Sequence, residues 1–137
     1  MTIRVEITGL KELEKTGQLA IEQKEKLRAE IRAEVVWFGS NAMGTSRERF
    51  LSGRPGLNVI TGRLRSSIGY EVEDTKTGFT MSLGTSVPYA PVHEYGDRRG
   101  YIRPRPFLRP AVEAEYPRFL KEIDNVLSRF AEGGLGQ

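Results

Sequence analysis

The sequence predicts an α+β fold in which a small antiparallel sheet packs against one long helix and a C-terminal helix. Apolar residues recur at helical spacing over residues 18–43 and again after Pro110, which predicts the two helices. Two short runs, residues 66–73 and 79–83, instead alternate apolar and polar side chains, as paired strands do. Between these patterns lies the polar, glycine-bearing stretch 44–60, which predicts a long central loop.

Length and composition set the class of protein. The 137 residues suit one domain, which we place at residues 1–132, followed by a glycine-rich flexible tail at 133–137. Hydrophobic residues at 38% and charged residues at 28% are typical of a globular protein. With no cysteine and one histidine, disulfides and the usual zinc sites are excluded, and we expect no cofactor.

The first ten residues predict a short strand. Ile3, Val5 and Ile7 alternate with Arg4 and Glu6, and the run stops at a Thr-Gly pair. No apolar signal core and no run of membrane-spanning length is present. We therefore expect synthesis in the cytosol and no membrane partner.

The long helix has a clear apolar stripe and one aromatic residue beside it. Leu27, Ile31, Val35 and Phe38 share one face, which predicts contact with the core. Trp37 lies off that stripe, so it either widens the core face or serves as an interface anchor.

The segment around residue 62 predicts a turn followed by a strand. Gly62 accommodates the positive φ of a turn. If the chain is extended after it, Leu64 and Ile68 face one side while Arg63 and Arg65 project from the other. Residues 74–78 then close a hairpin.

Prolines dominate the stretch before the last helix. Those at 88 and 91 predict that residues 87–96 form an edge strand or an extended arm. Residues 103–110 are stiffened by three prolines, of which Pro110 suits the first turn of a helix. Pro117 predicts a kink in that helix or a later start. Its predicted apolar stripe is Val112, Tyr116, Phe119, Leu120, Ile123, Leu127 and Phe130.

Positive charge is concentrated in the middle of the chain. Residues 47–109 contain 11 Lys and Arg against 6 Asp and Glu, whereas the flanks together contain 10 against 12. Such a basic stretch suits an acidic protein surface, DNA or solvent. A DNA-binding module is therefore an alternative function, in which Arg63, Arg65, Arg103 and Arg105 share one face.

His93-Glu94 is the pair that suggests catalysis. A histidine beside a carboxylate can act as a general base with an orienting partner, but neighbouring residues on a strand point to opposite faces. No nucleophile-elbow motif accompanies them. A hydrolase that uses His93 and Glu94 is thus a third hypothesis, and we expect the protein not to be an enzyme.

Three blocks in fixed order carry a resemblance to a known family. They are TGRLRSSI at residues 61–68, PYAPVHEYG at 88–96 and RPRPFLRPA at 103–111. In this order they resemble the gene-ten-like neck and tail-completion family of long-tailed bacteriophages, as does the opening GLKEL at residues 9–13. The long stretch 44–60 and the aspartate at position 97 depart from the family pattern, and related proteins of Mu-like phages are an alternative branch.

The resemblance implies a structural virion protein, formed in the host cytoplasm and assembled into a six-fold ring at the head–tail junction. Its implied partners are copies of itself, a tail terminator or tail-tube protein, a head-closure protein and packaged DNA in passing. The implied interface residues are Arg54, Arg63, Arg65, Tyr89, Glu94, Tyr95, Arg103, Arg105, Phe107 and Arg109. The candidate DNA-facing residues are Arg47, Arg49, Arg98 and Arg99.

Overall fold

The computed structural model of the chain describes residues 1–10, 21–51, 62–101 and 103–131. One antiparallel sheet has the strand order β1–β3–β2, with β1 at Thr2–Ile7, β2 at Gly69–Asp74 and β3 at Phe79–Gly84. The helices are α1 at Ile21–Thr45, α2 at Arg63–Ser67, α3 at Ala90–Tyr95 and α4 at Arg109–Ala131. The predicted α+β fold is confirmed.

The sheet has one apolar face, which is built on its central strand. Phe79, Met81 and Leu83 of β3 are almost completely buried. Their partners across the sheet are Ile7, Val5 and Ile3 of β1 in one direction, and Val72 and Tyr70 pair with Met81 and Leu83 in the other. Because side chains alternate along a strand, the charged residues between them face solvent.

Helix α1 packs on this apolar face at very short range. A Cβ at Gly39 would lie 2.5 Å from Cδ2 of Tyr70, so any larger residue there would force the Tyr70 ring to shift. The predicted stripe of Leu27, Ile31, Val35 and Phe38 is buried, as expected. Trp37 is 60% exposed and does not widen the core face.

Helix α4 also packs against α1. The Phe38 and Phe119 rings stack with their centroids 4.5 Å apart. The helix begins at Arg109 and runs through Pro117, so the predicted later start is wrong. The predicted stripe is also wrong in part, because Tyr116 and Leu120 are exposed whereas Val126, seven residues after Phe119, is buried.

Residues 63–67 form a helix, so the predicted strand begins too early. Gly62 has the expected positive φ of 74° and directly precedes α2, and Ser66 N–H donates to the Gly62 carbonyl at 2.9 Å. Leu64 on this helix is half-buried, and Ile68, which directly follows the helix with an extended backbone, is buried. Arg63 and Arg65 are exposed on a helical turn and do not project from a strand.

The predicted edge strand or extended arm at residues 87–96 is also wrong, because it contains α3. Pro91 lies in the first turn, where its missing N–H costs nothing. Ala90 and Glu94, four residues apart, are both buried. The helix ends at Tyr95 and is capped by Gly96, whose N–H donates to the Val92 carbonyl at 2.7 Å.

The predicted central loop at residues 44–60 is wrong over its first part. Helix α1 continues to Thr45, and one π-helical turn follows at Ser46–Phe50. Residues 52–60 of the predicted loop, most of the GLKEL segment and the predicted tail lie outside the described residues.

Candidate assembly surface

The three sequence blocks lie next to one another around α3. The hydroxyls of Ser67 and Thr85 are 2.6 Å apart, which holds the end of α2 near the segment that leads to α3. The Arg63 guanidinium lies over the Tyr89 ring, 5.9 Å from its centroid. On the same helix, the His93 carbonyl accepts a hydrogen bond from Arg105 N–H at 2.8 Å. The blocks therefore form one continuous region.

Glu94 anchors this region from inside. Its side chain is almost completely buried, and Oε1 accepts hydrogen bonds from the N–H groups of Phe107 at 3.0 Å and Leu108 at 2.8 Å. These two residues directly precede α4, where a negative charge is favoured by the helix dipole. The carboxylate thus joins the second sequence block to the third.

Two predicted interface residues have an internal role. Glu94 is 3% exposed, and Phe107 is fully buried in its own chain. We expected both on an arm available to a neighbouring subunit. That expectation is wrong, because the carboxylate satisfies backbone donors and the aromatic ring fills the core.

Residues 103–106, with the sequence RPRP, form what we call the Arg-Pro arm. All four residues are exposed and neither helical nor in a strand, while Phe107 and Leu108 directly after them are buried. The arm is held by its own chain at Arg105 N–H and at the Glu94 carboxylate. A stiff basic segment is therefore exposed on the surface of the protein and fixed in place by these bonds.

Other predicted contact residues surround the arm or lie beyond it. Tyr95 is 61% exposed and Tyr89 38% exposed. Arg65, Arg98, Arg99 and Arg109 are exposed as well. Arg54 lies outside the described residues. Arg63 lies at the start of α3, over the Tyr89 ring, and the backbone of Arg105 is bonded to the same helix.

The two predicted DNA-facing arginines before residue 50 differ in role. The Arg47 guanidinium donates to the Ile68 carbonyl at 2.6 Å and is half-buried, so it joins the π-helical turn to the end of α2. The expectation that Arg47 faces DNA from an exposed position is therefore wrong. Arg49 is exposed, and its guanidinium lies 5.5 Å from the centroid of the Phe50 ring.

His93 and Glu94 have separate partners. The His93 ring meets the Tyr89 ring edge-on at 5.8 Å, whereas the Glu94 carboxylate accepts from two backbone N–H groups. The hydrolase hypothesis needs the carboxylate to orient the imidazole, and this geometry uses it elsewhere. That the protein is not an enzyme remains a prediction.

A second surface lies between α1 and α4. Of its residues, the sequence patterns indicated only Trp37 as a candidate interface residue. A groove between α1 and α4, here called the α1–α4 groove, is lined by Glu34, Trp37, Phe38, Asn41, Glu115, Arg118, Phe119 and Glu122. It holds about 230 Å³, less than the ~300–1,000 Å³ of most small-molecule pockets. The groove is therefore smaller than a typical metabolite pocket.

Acidic side chains outnumber basic ones in the lining of the groove. Burial raises the pKa of Glu34, and the nearby carboxylate of Glu122 raises that pKa further, although Arg118 and Arg129 oppose the shift. At the end of the groove, the Thr45 hydroxyl donates to Glu115 Oε1 at 2.5 Å. The groove therefore has an excess of negative charge beside an exposed indole.

Among the residues that the structure describes, no three His, Cys, Asp or Glu side chains are grouped to hold a metal ion. A helix long and apolar enough to cross a membrane is also not found in the described ranges.

Comparisons with known proteins give little information. No protein-family model matches the chain, and no solved structure matches it. The sequence is 29% identical over 71 residues to the uncharacterized protein MJ0331 of Methanocaldococcus jannaschii, a match over 52% of this chain. The chain covers 53% of that relative's length, about half.

Proposed function

We propose that the protein is a structural subunit of a tailed-bacteriophage virion, which forms a ring at the head–tail junction and joins tail to head. The proposal starts from the resemblance of the three sequence blocks. Its partners are copies of itself, a tail terminator or tail-tube protein and a head-closure protein.

The observation that supports it is the Glu94 anchor. One buried carboxylate joins two of the three blocks and holds the exposed Arg-Pro arm at a fixed position. A segment that is already ordered loses little conformational entropy when a neighbour binds it. Arginine is also the cation best suited to interfacial ion pairs. This combination serves assembly better than catalysis.

Particle location tests the proposal. We expect antibodies against the chain to label one end of the tail, at the junction with the head, in tailed particles induced from the source cell. Labelling with antibodies against an unrelated cytosolic protein is the control. If purified particles lack the chain, the proposal is wrong. Portal, capsid and tail-tube genes beside its own gene are the expected context.

A DNA-binding module is the second candidate, favoured by one observation. The Arg63 guanidinium lies over the ring of Tyr89, which directly precedes α3, and the exposed Arg105 is held to α3 by its backbone N–H, which donates to the His93 carbonyl. Two arginines next to one short helix suit contact with the phosphates of DNA.

DNA binding is tested by fluorescence anisotropy with duplex DNA over a range of salt concentrations. We expect Arg63→Ala and Arg105→Ala each to lower the salt slope by about one, the value for one lost phosphate contact. Arg4→Ala, on the outer face of the sheet, is the matched control. No binding at low salt excludes this function.

A further inference from the structure

The α1–α4 groove has an unusual surface. Its indole, Trp37, is 60% exposed although the adjacent Phe38 is buried. An exposed tryptophan beside a groove is the kind of side chain that protein interfaces use as an anchor.

The side chains that line the groove also favour a positively charged partner. Glu34, Glu115 and Glu122 line it, with Arg118 as the cation among the lining residues. The raised pKa of Glu34 means that burial and Glu122 disfavour its ionised form. An arriving guanidinium would offset both effects, whereas an arriving carboxylate would add to them.

The Arg-Pro arm has the complementary chemistry. Its two prolines restrict the backbone to extended conformations, and proline-rich segments of this kind bind to aromatic-lined grooves. Arg103 and Arg105 alternate with the prolines and are exposed. A guanidinium can both stack on an indole and pair with a carboxylate.

From these two surfaces we propose that the α1–α4 groove binds the Arg-Pro arm of a second copy of this chain. The inference deepens the proposed function, on which it rests, because it names the contact between adjacent ring subunits. In this contact the arm arginines pair with Glu34 and Glu122, and a proline or a guanidinium lies against Trp37.

A chain does not fill its own groove, because its arm is held elsewhere. Arg105 N–H donates to the His93 carbonyl, and the residues directly after the arm donate to Glu94. Moving the arm to the groove of the same chain would break these bonds. The contact is therefore heterologous: each subunit offers one arm and one groove, which generates a closed ring or an open filament.

Charge reversal with complementation tests the inference. The arm variant is Arg103→Glu with Arg105→Glu, and the groove variant is Glu34→Arg with Glu122→Arg. Self-association of the full-length chain is measured by sedimentation velocity over a concentration series. Because the reversals place like charges opposite each other, we expect each variant alone to associate at least about 100-fold more weakly than the unchanged chain.

An equimolar mixture of the two variants is the decisive sample. In the mixture, a reversed arm meets a reversed groove and an unchanged arm meets an unchanged groove, so we expect association to return. The chain contains one tryptophan, so a blue shift of its fluorescence on mixing reports burial of Trp37 directly. Arg4→Glu with Lys76→Glu, both exposed on the sheet and its hairpin, is the matched control and should associate normally.

Each of the other results contradicts the groove inference and leaves the proposed virion function to its own test. If the unchanged chain associates but ignores both reversals, the groove inference is wrong and the ring remains possible through another surface. If the variants weaken association and the mixture does not restore it, arm and groove do not meet. If the unchanged chain stays monomeric at its highest soluble concentration, the inference is also wrong, while particle labelling still tests the proposed function separately.

Discussion

The Glu94 anchor and the α1–α4 groove use polar and apolar side chains in opposite places. At the anchor, a carboxylate is almost completely buried and bonded to backbone N–H groups. At the groove, a tryptophan is 60% exposed and contributes little to the core. The carboxylate therefore stabilises the fold, and the indole is free to bind a partner. Residue type alone would suggest the reverse.

The largest expected effect separates the two adjacent aromatic residues of α1. Phe38→Ala removes a buried ring that stacks on Phe119, so we expect a loss of about 3–5 kcal/mol in the free energy of unfolding. Trp37→Ala should change that free energy by no more than about 0.5 kcal/mol. Urea unfolding followed by circular dichroism measures both. Equal losses would mean that Trp37 belongs to the core.

The second-largest loss of stability is expected at the Glu94 anchor. Glu94→Ala leaves the N–H groups of Phe107 and Leu108 buried without their acceptor, which should cost about 2–4 kcal/mol. Glu94→Gln keeps an acceptor oxygen and should lose less than half of that. Thermal unfolding compares them with Glu71→Ala, an exposed residue of β2. If Glu94→Ala unfolds like this control, the carboxylate does not hold the arm.

A smaller effect is expected at the polar end of the groove. Thr45→Val removes the hydrogen bond to Glu115, which is partly buried, and should cost about 1 kcal/mol. Thr77→Val, at an exposed hairpin position, is the control and should be close to neutral. Denaturant midpoints measured under identical conditions distinguish the two. A neutral Thr45→Val would show that this bond is replaced by water.

The smallest effect concerns pH. Since the folded-state pKa of Glu34 is raised above 4.5, the folded chain holds this proton more tightly than the unfolded chain. Stability from this group is therefore lost as pH rises from 4.5 through the folded-state pKa. Glu34→Gln removes that loss and should stabilise the chain at pH 7 by a few tenths of a kcal/mol, as expected for a screened surface group.

The control for this prediction is the same pair of proteins below the usual pKa of glutamate. There Glu34 is protonated in both states, so the advantage of the glutamine variant should disappear. Unfolding curves at several pH values measure the difference. A constant advantage at all pH values would assign the effect to packing instead of charge.

The candidate surface was only partly predictable from the residues. The arginines and prolines of the arm were recognisable in the sequence because composition alone makes such a segment stiff, basic and poorly suited to a helix interior. The role of Glu94 was not, because its partners are 13 and 14 residues away and are backbone groups that carry no side-chain signature. The groove depends on which side of α4 meets α1, and this turned Tyr116 and Leu120 outward against expectation.

The sequence by itself determined the long elements. Over the 25 residues of α1 and in the strands paired with β3, many buried side chains follow one periodicity, helical or strand-like. No single tertiary contact outweighs their combined contribution. Tertiary structure decided the short ones. The five residues of α2 and the six of α3 suit more than one backbone conformation, so distant contacts, such as Arg47 with the Ile68 carbonyl and Glu94 with residues before α4, select the helix.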